Sequence, residues 1–185
     1  MFIEQAYKGN NDWWRVLITT LCTAGIFLMN FIAYFAMSKE QIDEVYKSMS
    51  EIPNNWSLII NLSPFIFLLG LLFLLVRNLH YRSIVSLTTS RNKIDYKRIL
   101  FSFSLIVLLT ITVFAVTYFI DNSNIVWNFN PLKFGVLFLI SILLFPCQIG
   151  LEEYLFRGYL MQQIGIIVKN RWFPLAFTSI IFGLF

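Results

Sequence analysis

Residues 134–153 read FGVLFLISILLFPCQIGLEE. No charge interrupts the run from Phe134 to Leu151, and two glutamates then stand side by side. Wound as a helix, the run covers most of about 30 Å of hydrocarbon, at about 1.5 Å per residue. Three more runs share its character: Val16 to Met37, Ser57 to Val76 and Ile99 to Ile120. Pro64 and Pro146 fall inside two of the four, which helices in lipid tolerate. A fifth run, Phe173 to Phe185, would reach only about 20 Å as a helix. These runs predict an all-α, multi-pass transmembrane helix bundle of four spans plus an incomplete fifth. The fourth span, 134–151, continues into the residues after it.

The composition agrees. Hydrophobic residues make up 58% of the 185 and charged residues 13%, where soluble domains carry about 25% charged. The mean hydropathy is +0.71. A soluble fold of this length leaves roughly a third of its surface exposed and could not hide so much apolar side chain. Lipid removes the difficulty by being an apolar solvent. The net charge of +4 does not imply a nucleic-acid partner, since membrane proteins keep Lys and Arg in their cytoplasmic loops. Cys22 and Cys147 lie within apolar runs and read as buried thiols, without a disulfide framework or metal spacing. The first run is no cleavable signal peptide: it is too long, and Glu4 and Asp12 precede it.

Tryptophan and charge mark the span ends. Trp13, Trp14, Trp56, Trp127 and Trp172 all flank apolar runs, as interfacial anchors do. With the N-terminus in the cytoplasm, every Lys and Arg falls inside except Lys39, Lys47 and Lys133. The charge bias therefore predicts that orientation. In the first outer loop Ser38 and Gln41 have capping-box spacing, and Ile42, Val45, Tyr46 and Met49 recur at helical intervals. That pattern predicts a short helix on the membrane surface, ended by Pro53.

The chemistry concentrates after the fourth span, in Gly150-Leu-Glu152-Glu153-Tyr-Leu-Phe-Arg157-Gly158. Apolar residues follow the charges, so the helix should continue. Glu153 and Arg157 then stand at i and i+4 with the acid first, the favourable order for an ion pair. Glu152 is rotated about 100° away. It is left poorly solvated beside a paired neighbour, and both conditions raise a carboxyl pKa toward that of a general base. The expected roles are Glu152 as base, with Glu153 and Arg157 as its scaffold. Gln148 lies four residues before Glu152 and could contact it. Asn30 reads as an interhelical hydrogen-bonding group. His80, the only histidine, lies among Arg77, Tyr81 and Arg82 and reads as an interfacial side chain.

Glu-Glu-x-x-x-Arg at 152–157, within Leu-Glu-Glu-Tyr-Leu-Phe-Arg-Gly-Tyr-Leu, resembles the first motif of the CPBP intramembrane proteases. These are the CAAX protease and bacteriocin-processing (Abi) proteins, which include the type II CAAX prenyl endopeptidase. Pro174-Leu-Ala-Phe-Thr-Ser-Ile-Ile-Phe182-Gly-Leu-Phe185 is similar to the run leading into the family's Phe-x-x-x-His motif, with Phe182 as its phenylalanine. The start of the chain through Arg15 and the basic loop from Ser83 to Arg98 are also similar to bacterial members. The resemblance implies that residues 1–185 are the N-terminal part of a transmembrane domain of about eight helices, open to the cytoplasm, in a bacterial cell membrane. It implies hydrolysis of a peptide bond in a peptide or protein substrate, near the membrane, by a water that Glu152 shares with a histidine. That histidine would follow Phe185, and a later His-x-x-x-Asn/Asp motif would stabilise the oxyanion. On this comparison, and because the fifth run is short, the chain is expected to be incomplete and inactive alone. The family is often called a metalloprotease, which makes a divalent metal such as zinc, held in part by Glu152, conceivable. The sequence supplies no three-ligand zinc set.

Two other classes of function compete. A non-enzymatic membrane protein, such as an Abi-like bacteriocin-immunity factor, would bind a partner without cutting it. A transporter using Glu152 as a proton site would need carboxylates in other spans, and the first three runs contain none.

Overall fold

The computed structural model describes residues 2–51, 54–91, 93–120 and 129–184. Among them no strand occurs. A 3-10 helix at Ile3–Lys8 precedes α1 (Trp13–Ala36), α2 (Lys39–Ser50), α3 (Asn54–Asn78), the single turn α4 (Val85–Thr88) and α5 (Tyr96–Ile120). Then come α6 (Pro131–Glu152), a π-helical segment (Glu153–Leu160), α7 (Met161–Val168) and α8 (Trp172–Leu184). Among the described residues four helices are long and apolar enough to cross a membrane: Trp13–Ala36, Asn55–Asn78, Tyr96–Ile120 and the continuous Pro131–Val168. The protein is an all-α, multi-pass membrane bundle. The last of these helices has 38 residues, about 57 Å at helical rise, so it exceeds the hydrocarbon thickness well beyond Glu152.

Local sequence explains the helix starts. Ser38 and Gln41 form the expected capping box: the Gln41 N–H donates to Ser38 Oγ at 3.4 Å and the Ser38 N–H to Gln41 Oε1 at 3.0 Å. The Asn130 side chain accepts from the Lys133 N–H at 3.2 Å with Pro131 in the first turn of α6, where its missing donor costs nothing. Trp13, Trp14, Trp56 and Trp172 each sit in the first turn of a helix. Trp127 and Pro53 lie outside the described residues.

Packing centres on α3, which lies against both α6 and α1. Leu68, Leu72 and Val76 of α3 meet Leu151, Leu155, Phe156 and Tyr159, with Ala24 and Leu87 completing the cluster. No residue of α5 is buried. Apolar side chains elsewhere are widely exposed, as lipid solvation allows.

One end of the bundle is tied by polar contacts. The Asn10 N–H donates to the His80 carbonyl at 2.9 Å, and Gln163 Nε2 donates to Asn11 Oδ1 at 2.9 Å. Arg82 donates to Ser86 Oγ at 2.8 Å and to Gln162 Oε1, while Gln162 Nε2 donates to the Ser86 carbonyl at 2.9 Å. The N-terminal segment, the loop after α3 and α7 therefore share one end. Three expectations change here. His80 is buried, not interfacial, because four segments converge on it. Cys22 is an exposed free thiol and Cys147 only half-buried, since a spanning helix can turn thiols outward into lipid. Asn30 is exposed and makes no hydrogen bond among the described residues, because no described helix covers its face of α1.

Candidate functional site

The backbone does continue as a helix through the glutamate pair, but it widens. From Glu153 to Leu160 it is π-helical, and at its end the Met161 N–H reaches back to the Phe156 carbonyl. Segments of this kind are rare and recur at functional sites. The widening occurs where α4 presses close: a Cβ on Gly158 would meet the Leu87 carbonyl at 3.1 Å.

Glu152, the last residue of α6, is half-buried and accepts a hydrogen bond from Gln148 Nε2 at 3.3 Å. Glu153 turns to another face and pairs with Arg157, whose Nη1 lies 3.0 and 3.1 Å from its two oxygens. The pair is more open than the sequence suggests. The side chains of Arg157 and Glu153 are 57% and 41% exposed, so the pair lacks the leverage of a fully desolvated one. Phe182 of α8 reaches this cluster. The Arg157 guanidinium lies 5.3 Å from its ring centre, and Phe156 meets it edge-on at 5.9 Å. An aromatic relay, Phe182 to Phe156 to Phe27 to Phe65, continues into α1 and α3. Tyr154 packs edge-on against Phe73 at 5.1 Å, and its hydroxyl receives a 3.3 Å hydrogen bond from Thr88. Two sets of contacts therefore form: Gln148 with Glu152, and Glu153 with Arg157 and Phe182. Among the described residues no three His, Cys, Asp or Glu side chains converge as a metal site.

A second polar centre lies deeper, around His80. The Asn10 carbonyl, 2.7 Å from Nδ1, can only accept, so Nδ1 carries the proton. Nε2 is left as an acceptor with one lone pair, facing the hydroxyls of Thr19 and Tyr159, each 3.0 Å away. Burial lowers the His80 pKa below 6.5, and the charges of Arg82 and Arg15 add to the effect against the Asn10 hydrogen bond. Burial also lowers the Arg82 pKa, to about 10, with Tyr159 opposing, so the guanidinium stays charged at neutral pH. The available sequence signal was the set of amides, Asn10-Asn11 and Gln162-Gln163, placed beside apolar runs.

The family described as "Type II CAAX prenyl endopeptidase Rce1-like" matches residues 133–185, the stretch holding both the glutamate pair and Phe182. A Bacillus subtilis (strain 168) protein named "Uncharacterized protein YyaK" is 32% identical over 185 aligned positions. The alignment covers 96% of this chain and 61% of that relative, so the chain spans about three-fifths of its length. No solved structure matches. The family match thus falls on the motif-bearing segment, so residues 133–185 are similar to the Rce1-like type II CAAX prenyl endopeptidases, and the relative aligns along nearly all of the chain.

Proposed function

We propose that this chain carries the catalytic glutamates of an intramembrane endopeptidase that cleaves a peptide or protein substrate at the cytoplasmic face of a bacterial cell membrane. The supporting observation is the meeting of two segments far apart in sequence: Arg157 holds Glu153 on one side and stacks on Phe182 on the other. Glu152 takes a proton from water, and the resulting hydroxide adds to the scissile carbonyl carbon. Collapse of that adduct breaks the C–N bond, and the proton held by Glu152 passes to the departing amine. Gln148 orients the Glu152 carboxylate; Glu153 and Arg157 fix the helix that presents it. By resemblance to the family's Phe-x-x-x-His motif, a histidine four positions beyond Phe182 would share the water. Residues 1–185 are then the N-terminal part of the family's transmembrane domain.

The test is Glu152→Gln in the whole protein, reconstituted in liposomes with a membrane-anchored peptide library. The amide cannot accept the proton, so cleavage should fall by at least about 100-fold, a typical contribution of general-base catalysis, with the fold intact. Turnover close to wild type would remove Glu152 from the mechanism and favour a partner-binding immunity role.

A further inference from the structure

The 3-10 helix packs so closely on α7 that a Cβ on Gly165 would lie 2.4 Å from Ile3 Cγ2. This contact leaves a cleft of about 520 Å³ between the N-terminal segment and the α7–α8 turn, with Tyr7, Lys169 and Arg171 on its walls. A second hollow of about 270 Å³ opens beside it, lined by Phe2, Met161 and Leu175. The two hollows share Ile3, Arg171 and Trp172. One half is therefore polar and cationic, and the other is apolar.

The cations of the polar half are available. Neither Lys169 nor Arg171 makes a salt bridge among the described residues; the Arg171 guanidinium lies 5.4 Å from the Trp172 ring centre. Glu4 brings a carboxylate to the rim, which leaves the lining net positive. Lys169 also ends α7 with φ at 55°, a left-handed position that glycine or asparagine fills at less cost. A long cationic side chain stands there instead. Trp172, exposed in the first turn of α8, marks the level of the membrane boundary.

We propose that this paired cleft binds an anionic phospholipid, its phosphate between Lys169 and Arg171 and an acyl chain along Phe2, Met161 and Leu175. The argument is one of complementarity: a cationic and an apolar compartment, joined at an interfacial tryptophan, match the two halves of such a lipid. The site is distinct from the glutamate pair and does not depend on peptidase activity.

Native mass spectrometry of the whole protein, released from micelles containing phosphatidylglycerol, tests this. Lys169→Asn with Arg171→Gln removes both charges while keeping a residue suited to the left-handed turn. Retention of one phosphatidylglycerol should weaken about thirtyfold, the sum of two basic residues at an anionic surface. Lys93→Gln with Lys97→Gln, an equal charge loss at the start of α5 and just before it, should leave retention near wild type. Leu175→Asn should also weaken it with both charges present, which keeps the test decisive if the double variant fails to fold. Equal losses in both charge-removal variants would overturn the site in favour of diffuse electrostatics. Equal retention of phosphatidylcholine, or displacement of the lipid by equimolar inorganic phosphate, would overturn it as well.

Discussion

Among single residues, His80 makes the sharpest physical statement. It joins the Asn10 carbonyl, the Thr19 hydroxyl and the Tyr159 hydroxyl in one buried, neutral ring. Burial lowers its pKa, so an opened state binds a proton before the closed state does. The stabilisation is therefore complete above pH 6.5, the ordinary value, and declines as pH falls below it. Amide exchange at Asn10 and Arg82, whose N–H groups bond to the His80 and Val76 carbonyls, should lose protection in that acid range after correction for the intrinsic rate. His80→Gln should flatten this pH dependence and weaken the clasp by about 1–3 kcal/mol, through unsatisfied buried hydroxyls. A protection profile independent of pH in the wild type would refute the linkage. Glu153 and Arg157, by contrast, were legible from sequence, because i, i+4 spacing fixes their contact whatever packs around the helix. Their degree of exposure was not legible, since it depends on what surrounds the helix.

At the level of elements, the helix starts followed local rules. The Ser38–Gln41 box and the Asn130 cap need only their own neighbours, and both formed. The π-helical widening after Glu152 carries no comparable local code; it accompanies the close approach of Leu87 to Gly158. The docking of the N-terminal segment is of the same kind. A Cβ on Gly9 would sit 2.5 Å from the His80 carbonyl oxygen, although the extended backbone there suits any residue. Gly9→Ala should therefore push the segment off the bundle, costing about 1–3 kcal/mol as overpacking does. Limited proteolysis ahead of Trp13, at unchanged helical content, would register the release; resistance equal to wild type would refute the tight fit.

For the molecule as a whole, the polar ties put the N-terminal segment, the loop after α3 and α7 at one end, while α2 follows the far end of α1. The basic residues Lys8, Arg15, Arg82 and Lys169 belong to that tied end, and Lys39 and Lys47 to α2. The positive-inside bias predicts that the tied end faces the cytoplasm. Single cysteines at Lys47 and Lys93, in a background without Cys22 and Cys147, provide the check. An impermeant thiol reagent applied to intact cells should label position 47 and spare 93. The reverse pattern would invert the topology.

The sequence by itself determined the solvent and the architecture. Uncharged runs long enough for a bilayer force helices, because backbone groups in hydrocarbon must pair within their own segment. It also determined the spacing of Glu152, Glu153 and Arg157, since helical periodicity is a property of the chain alone. Only the tertiary structure decided that Phe182 would stack on Arg157, that His80 would be buried among four segments, and that Ile3 against Gly165 would shape a cleft beside Lys169 and Arg171. Those contacts join residues distant in sequence, and no local propensity encodes which faces of separate helices meet. In lipid that choice rests on close packing and a few polar bonds rather than on hydrophobic burial, so apolar patterning names the helices without naming their partners.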